Sequence, residues 1–89
     1  MKRLEANIRG RVQGVSFRYY TQFEASRLEL TGWVRNERDG SVSVVAEGDD
    51  LALEQFLTFL NNGPRSAQVQ QVSKNWLDAS KEFKDFSIR

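Results

Sequence analysis

Apolar residues first recur along the chain with a period of two. Leu4, Ala6 and Ile8 alternate with Glu5, Asn7 and Arg9, the pattern of a half-buried strand, and Gly10 is expected to end it. From Phe17 the period lengthens. Phe17, Thr21, Ala25 and Leu28 fall at helical spacing while Glu24, Arg27 and Glu29 lie elsewhere on the surface, so a helix follows the turn directly, with Gly32 expected to close it. Tyr19, Tyr20 and Phe23 make this helix more aromatic than one buried stripe requires.

Alternation returns at Trp33–Glu37 and again at Ser41–Glu47, with Asp39-Gly40 between them, a pair that suits a hairpin because glycine takes positive φ freely. These two strands are predicted to be antiparallel, with Val42, Val44 and Ala46 on one face of the second and Ser43, Val45 and Glu47 on the other. After Gly48, Asp49 and Asp50 offer an N-cap and negative charge to a second helix with the stripe Leu53, Phe56, Leu57 and Leu60, stopped by Asn61-Asn62-Gly63-Pro64. Val69 and Val72, then Trp76 and Leu77, predict a fourth strand broken by a bulge. Phe86 and Ile88 mark a short last strand. The order β-α-β-β-α-β with a terminal β extension predicts an α+β fold, a ferredoxin-like sandwich with two helices packed on one face of a mainly antiparallel sheet.

Length fits that picture: 89 residues make one domain, spanning residues 1–89, with a single core. Thirteen basic and twelve acidic residues leave a net charge of +1, with no basic run to neutralise a row of phosphates, so nucleic acid is not an expected partner. The predicted first and third strands also lack the aromatics that RNA-recognition sheets present. No long apolar run precedes the first strand, and neither a signal peptide nor a membrane span is expected; the expected location is cytoplasmic and the expected state monomeric. Cysteine and histidine are both absent. Thiolate nucleophiles and imidazole bases are therefore excluded, and chemistry falls to Arg, Lys, Asn, carboxylates or backbone groups.

Within that inventory, Ile8 to Arg18 stands out. Its glycines can turn backbone N–H groups inward, a helix N-terminus adds partial positive charge, and Arg18 adds a planar guanidinium: a plausible cradle for an oxyanion such as phosphate. Gly10 and Gly14 equally suit a tight strand-to-helix connection. Arg18, however, lies in the first helical turn, where a cation opposes the helix dipole at about 0.3 to 1 kcal/mol unless an anion lies between them. The spacing is not that of the nucleotide-binding phosphate loop, which ends in Lys and Ser or Thr. A cysteinyl-phosphate route would need cysteine where Val12 stands. Asn36, just before the hairpin turn, is a second candidate, since Asn is depleted in strands; turn chemistry is its alternative reading.

Taken together, the two segments resemble the acylphosphatase family. Ile8 to Arg18 matches its first motif throughout, including Val12-Gln13-Gly14-Val15. Gly32-Trp33-Val34-Arg35-Asn36, with Gly40, Val42 and Gly48, matches its second. Gly63-Pro64 and the ending Phe86-Ser87-Ile88-Arg89 extend the similarity over nearly the whole chain. The resemblance implies that Arg18 binds the phosphate and Asn36 positions the attacking water. It further implies backbone donors from Val12, Gln13, Gly14, Val15, Ser16 and Phe17, a small acyl phosphate as substrate, inorganic phosphate as product, and no metal or other cofactor.

Overall fold

The computed structural model describes residues 1–89. Its elements are β1 (Lys2–Arg11), α1 (Phe17–Arg27), β2 (Thr31–Asn36), β3 (Val42–Gly48), α2 (Asp50–Asn62), β4 (Gln68–Asp78) and β5 (Phe86–Ile88). The strands form one sheet in the order β4-β1-β3-β2-β5, antiparallel throughout except where β5 runs parallel to β2. This is the predicted ferredoxin-like sandwich with its strand extension. No helix is long and apolar enough to cross a membrane.

One face of the sheet carries the core. Leu4, Ala6 and Ile8 of β1, Val34 of β2 and Val42, Val44 and Ala46 of β3 meet Phe17 and Ala25 of α1 and the stripe Leu53, Phe56, Leu57 and Leu60 of α2. Both helices thus bury the faces their periodicity assigns. On the opposite face the alternation of β3 is less clean than its sequence predicts, because Val45 and Glu47 are buried as well.

Gly10 and Gly32 depart from the pattern. Gly10 does not end β1; it sits at a register shift, with Arg9 opposite Gln71 and Gly10 opposite Val69, so that Gln70 is the extra residue of a bulge. A Cβ at position 10 would lie 2.2 Å from the Gln68 carbonyl oxygen, so the glycine permits this approach and β1 continues to Arg11. The odd spacing of Val69 and Val72 is absorbed at that bulge. Leu77, paired with Arg3, then lies on the other face from Trp76, which pairs with Leu4.

Gly32 does not close α1 either. The helix ends at Arg27, and Glu29 takes the left-handed conformation (φ +59°) that glycine usually supplies. The Leu30 N–H reaches back to the Ala25 carbonyl and the Glu29 N–H to that of Ser26. Gly32 instead lies inside β2, where a Cβ would stand 1.9 Å from the Val45 carbonyl oxygen. Asp49 occupies the N-cap of α2 but makes no side-chain capping bond, so its contribution there is charge alone.

Glu47 anchors the chain between β4 and β5. Only 1% exposed, it accepts hydrogen bonds from the Ser80 N–H, the Ser80 hydroxyl and the Lys81 N–H, each at 2.9 Å, and from Arg3 Nη1 at 3.3 Å. Burial pushes its carboxyl up, but the donors of Ser80 and Lys81 and the charge of Arg3 together hold it below its ordinary value of 4.5. Because the folded value is depressed, the stability it contributes is complete above the ordinary value and is lost as pH falls through the folded one. Glu47→Gln is expected to cost about 1–3 kcal/mol near neutral pH, with a smaller penalty in acid. Urea unfolding at both pH values checks this; an equal penalty at the two would overturn it.

Candidate active site

The turn from β1 into α1 exposes a row of donors. Gly14 (φ +73°) and Ser16 (φ +61°) are left-handed, and setting such residues among right-handed ones curls successive N–H groups toward one side. Nothing lies within 4 Å of a Cβ built at Gly14, so glycine serves conformation there, not packing. Ser16 is the N-cap of α1, yet its side chain caps nothing, and the first turn holds no acidic residue. From Val12 to Tyr19 no backbone N–H donates to a protein acceptor; the first that does is Tyr20, to the Ser16 carbonyl at 3.1 Å. The positive end of the helix dipole and several backbone donors without a protein acceptor therefore belong to this one turn.

Neighbouring segments hold this turn in shape. Val12 and Phe17 are both 1% exposed and root its two ends in the core. The Gln13 side chain turns sideways, and its Nε2 donates to the Glu37 carbonyl at 2.7 Å and the Ser41 carbonyl at 2.8 Å, both in the loop between β2 and β3. That loop is itself closed by Asp39, which accepts from the Ser41 hydroxyl at 2.6 Å, the Ser41 N–H at 3.0 Å and Arg9 at 2.9 Å. The Ser41 hydroxyl first, then its N–H and Arg9, keep the Asp39 carboxyl below its ordinary range. From the other side the Ser66 hydroxyl donates to the Val15 carbonyl at 2.8 Å.

A cleft of about 340 Å³ opens over the turn, lined by Val12, Gly14, Ser16, Phe17, Arg18, Tyr19, Asn36 and Ile88. Arg18 is half-buried and has no carboxylate partner. Asn36 is the last residue of β2, and its Oδ1 is buried without a hydrogen-bond partner. The cleft contains no carboxylate. A larger recess of about 420 Å³ lies on the open face of the sheet, but Arg3 and Arg35 there are already paired with Glu5 and Glu37, which leaves them less able to bind an anion.

The structure thus brings Val12, Gly14, Ser16, Phe17, Arg18 and Asn36 to one cleft, while Gln13 and Val15 do not line it. Tyr19 and Ile88 line it without having been singled out for the site. The aromatic surplus of α1 was the available signal for Tyr19. Ile88 gave none, because its place depends on the parallel pairing of Val34 with Ile88, two residues short of Asn36.

The family model described as Acylphosphatase matches residues 4–88. The chain belongs to the acylphosphatase family. It is 51% identical over 88 residues to an acylphosphatase of Salinibacter ruber, covering 99% of this chain and 93% of that protein. With an acylphosphatase of Pasteurella multocida the identity is 50% over 80 residues, covering 90% of this chain and 89% of that one. The crystal structure of the Bacillus subtilis acylphosphatase superposes with a TM-score of 0.96 at 38% identity, covering 100% of this chain and 99% of that one. The protein is accordingly a hydrolase of the acylphosphatase type.

For an acylphosphatase fold, the bond from Gln13 to the β2–β3 loop ties the donor turn to the strand that carries Asn36. Gln13→Leu keeps the size of the side chain but leaves the Glu37 and Ser41 carbonyls without that donor. It is expected to cost about 1–2 kcal/mol in urea unfolding and to shift the amide resonances of residues 14–17. Unchanged resonances there would remove Gln13 as the brace of the turn.

Proposed function

We propose that the cleft hydrolyses the carboxyl–phosphate anhydride of small acyl phosphates, giving a carboxylate and inorganic phosphate, without a metal ion and without a covalent phosphoenzyme. One observation carries this reading: Asn36 lines the same cleft as an uncapped helix N-terminus and the unpaired Arg18. An amide lining the cleft can fix and orient a water by donating one hydrogen bond and accepting another. An anion binder needs donors only, so a water-holding amide favours hydrolysis over simple anion binding.

In this reading, backbone N–H groups from Val12 to Phe17 and the guanidinium of Arg18 hold the phosphoryl oxygens, where charge accumulates during transfer. Asn36 holds the water in line with the scissile bond. As the water oxygen bonds to phosphorus, the bond to the acyl oxygen breaks, and its electron pair departs with the carboxylate. Such a leaving group is stable without protonation, so no general acid is required. The water's proton passes to a phosphoryl oxygen, which makes the lack of histidine tolerable. Nor does the cleft supply carboxylate, imidazole or thiolate ligands, and no group of three such side chains elsewhere could hold a metal ion.

Phosphate release from benzoyl phosphate in EDTA tests the proposal. Turnover should survive the chelator. Arg18→Ala is expected to lose about a hundredfold to a thousandfold in rate and to bind inorganic phosphate weakly, and Arg18→Lys to recover only part, since the ammonium lacks the planar fork. Asn36→Ala should lower kcat with phosphate inhibition largely retained. A near-normal kcat in Asn36→Ala would overturn the water-positioning role.

A further inference from the structure

The three surplus aromatics of α1 are all on the surface. Tyr19 is 59% exposed, Phe23 is 61% exposed and Tyr20 is exposed beside them, so none serves the core. Large exposed aromatic side chains grouped on one helix are unfavourable in water unless something covers them. Only Tyr19 of the three lines the cleft. Its ring stands edge-to-face with that of Tyr20, with centroids 5.3 Å apart, which limits its motion although it faces solvent.

The lining of the cleft comes from two parts of the fold. The ends of β2 and β5 contribute Asn36 and Ile88, and the first turn of α1 contributes Arg18 and Tyr19. In-line displacement sets the entering water and the departing acyl group on opposite sides of phosphorus. With the water held by Asn36, the acyl group departs on the far side of phosphorus, and Tyr19 is the large exposed side chain that α1 offers it in the cleft. The volume of about 340 Å³ falls within the range of small-molecule sites and exceeds what a phosphoryl group alone fills.

We propose that Tyr19 is the acyl-binding residue of the cleft and gives this enzyme a preference for acyl phosphates bearing an apolar, ring-sized acyl group over small ones. This rests on the assignment of Arg18 and Asn36 above. The ring gives the acyl substituent a held, flat contact, and its effect falls on substrate binding, since the contact is present before and during transfer.

The test compares kcat and KM for benzoyl phosphate and acetyl phosphate, with inorganic phosphate as inhibitor, in the unmodified protein, Tyr19→Ser, Tyr19→Phe, Phe23→Ser and Arg18→Ala. Tyr19→Ser is expected to raise KM for benzoyl phosphate about five- to tenfold relative to KM for acetyl phosphate, the size of one aromatic contact. Tyr19→Phe should keep the preference, because the ring and not the hydroxyl makes it. Phe23→Ser, outside the cleft, should also keep it. If Tyr19→Ser leaves the ratio of the two substrates unchanged while Arg18→Ala is inactive, the acyl assignment is wrong and the site stands. If Arg18→Ala retains full turnover, the cleft is not the site and both readings fall.

Discussion

Backbone donors at the start of a helix must find an acceptor, and from Val12 to Tyr19 the fold gives them none. Most proteins answer this locally with a capping side chain or an acidic first turn. Here Ser16 leaves its cap unmade, and the only charge added in the first turn is the cation of Arg18. The surrounding structure keeps that unfavourable arrangement in place. Val12 and Phe17 fix the ends of the turn in the core, while Gln13 and Ser66 hold its middle from two sides. The stability of the sandwich maintains a segment that, taken alone, would relax.

The same economy explains how so small an inventory can support hydrolysis. An enzyme without histidine or cysteine lacks the usual proton carriers, but the acyl part of an acyl phosphate leaves as a stable carboxylate and makes little demand for them. In the proposed reading, what remains to be supplied is charge stabilisation and the placing of one water. Backbone groups, a guanidinium and an amide are suited to those tasks, and none of them has to change its protonation state.

Sequence patterning located most of the fold because its signals are local. The alternation of Leu4, Ala6 and Ile8 and the stripe from Leu53 to Leu60 each name a buried face without reference to the rest of the chain. Failures occurred where a residue answers to a distant one. Gly10 and Gly32 look like terminators, yet each is required by a carbonyl across the sheet, that of Gln68 or Val45. Glu29 ends α1 in a conformation that side chains rarely adopt, so nothing in its identity marks the stop. The site divides in the same way. Arg18 and Asn36 could be picked out by residue type and motif, and the fold sets them on one cleft. Gln13 could not be seen as a brace, since its acceptors are backbone carbonyls in another loop, and Ile88 depends on the pairing of β5 with β2.

That last pairing has a thermodynamic consequence. The cleft is assembled from the exit of β1, the start of α1, the end of β2 and the final strand, so no short fragment of the chain contains it. Contacts so far apart in sequence form only when the whole sheet is in order. A ligand seated there is linked to global unfolding, not to the loosening of one loop, and it stabilises the folded chain by an amount set by its concentration relative to its Kd. Occupancy of the cleft and integrity of the fold are, for this protein, two equilibria that move together.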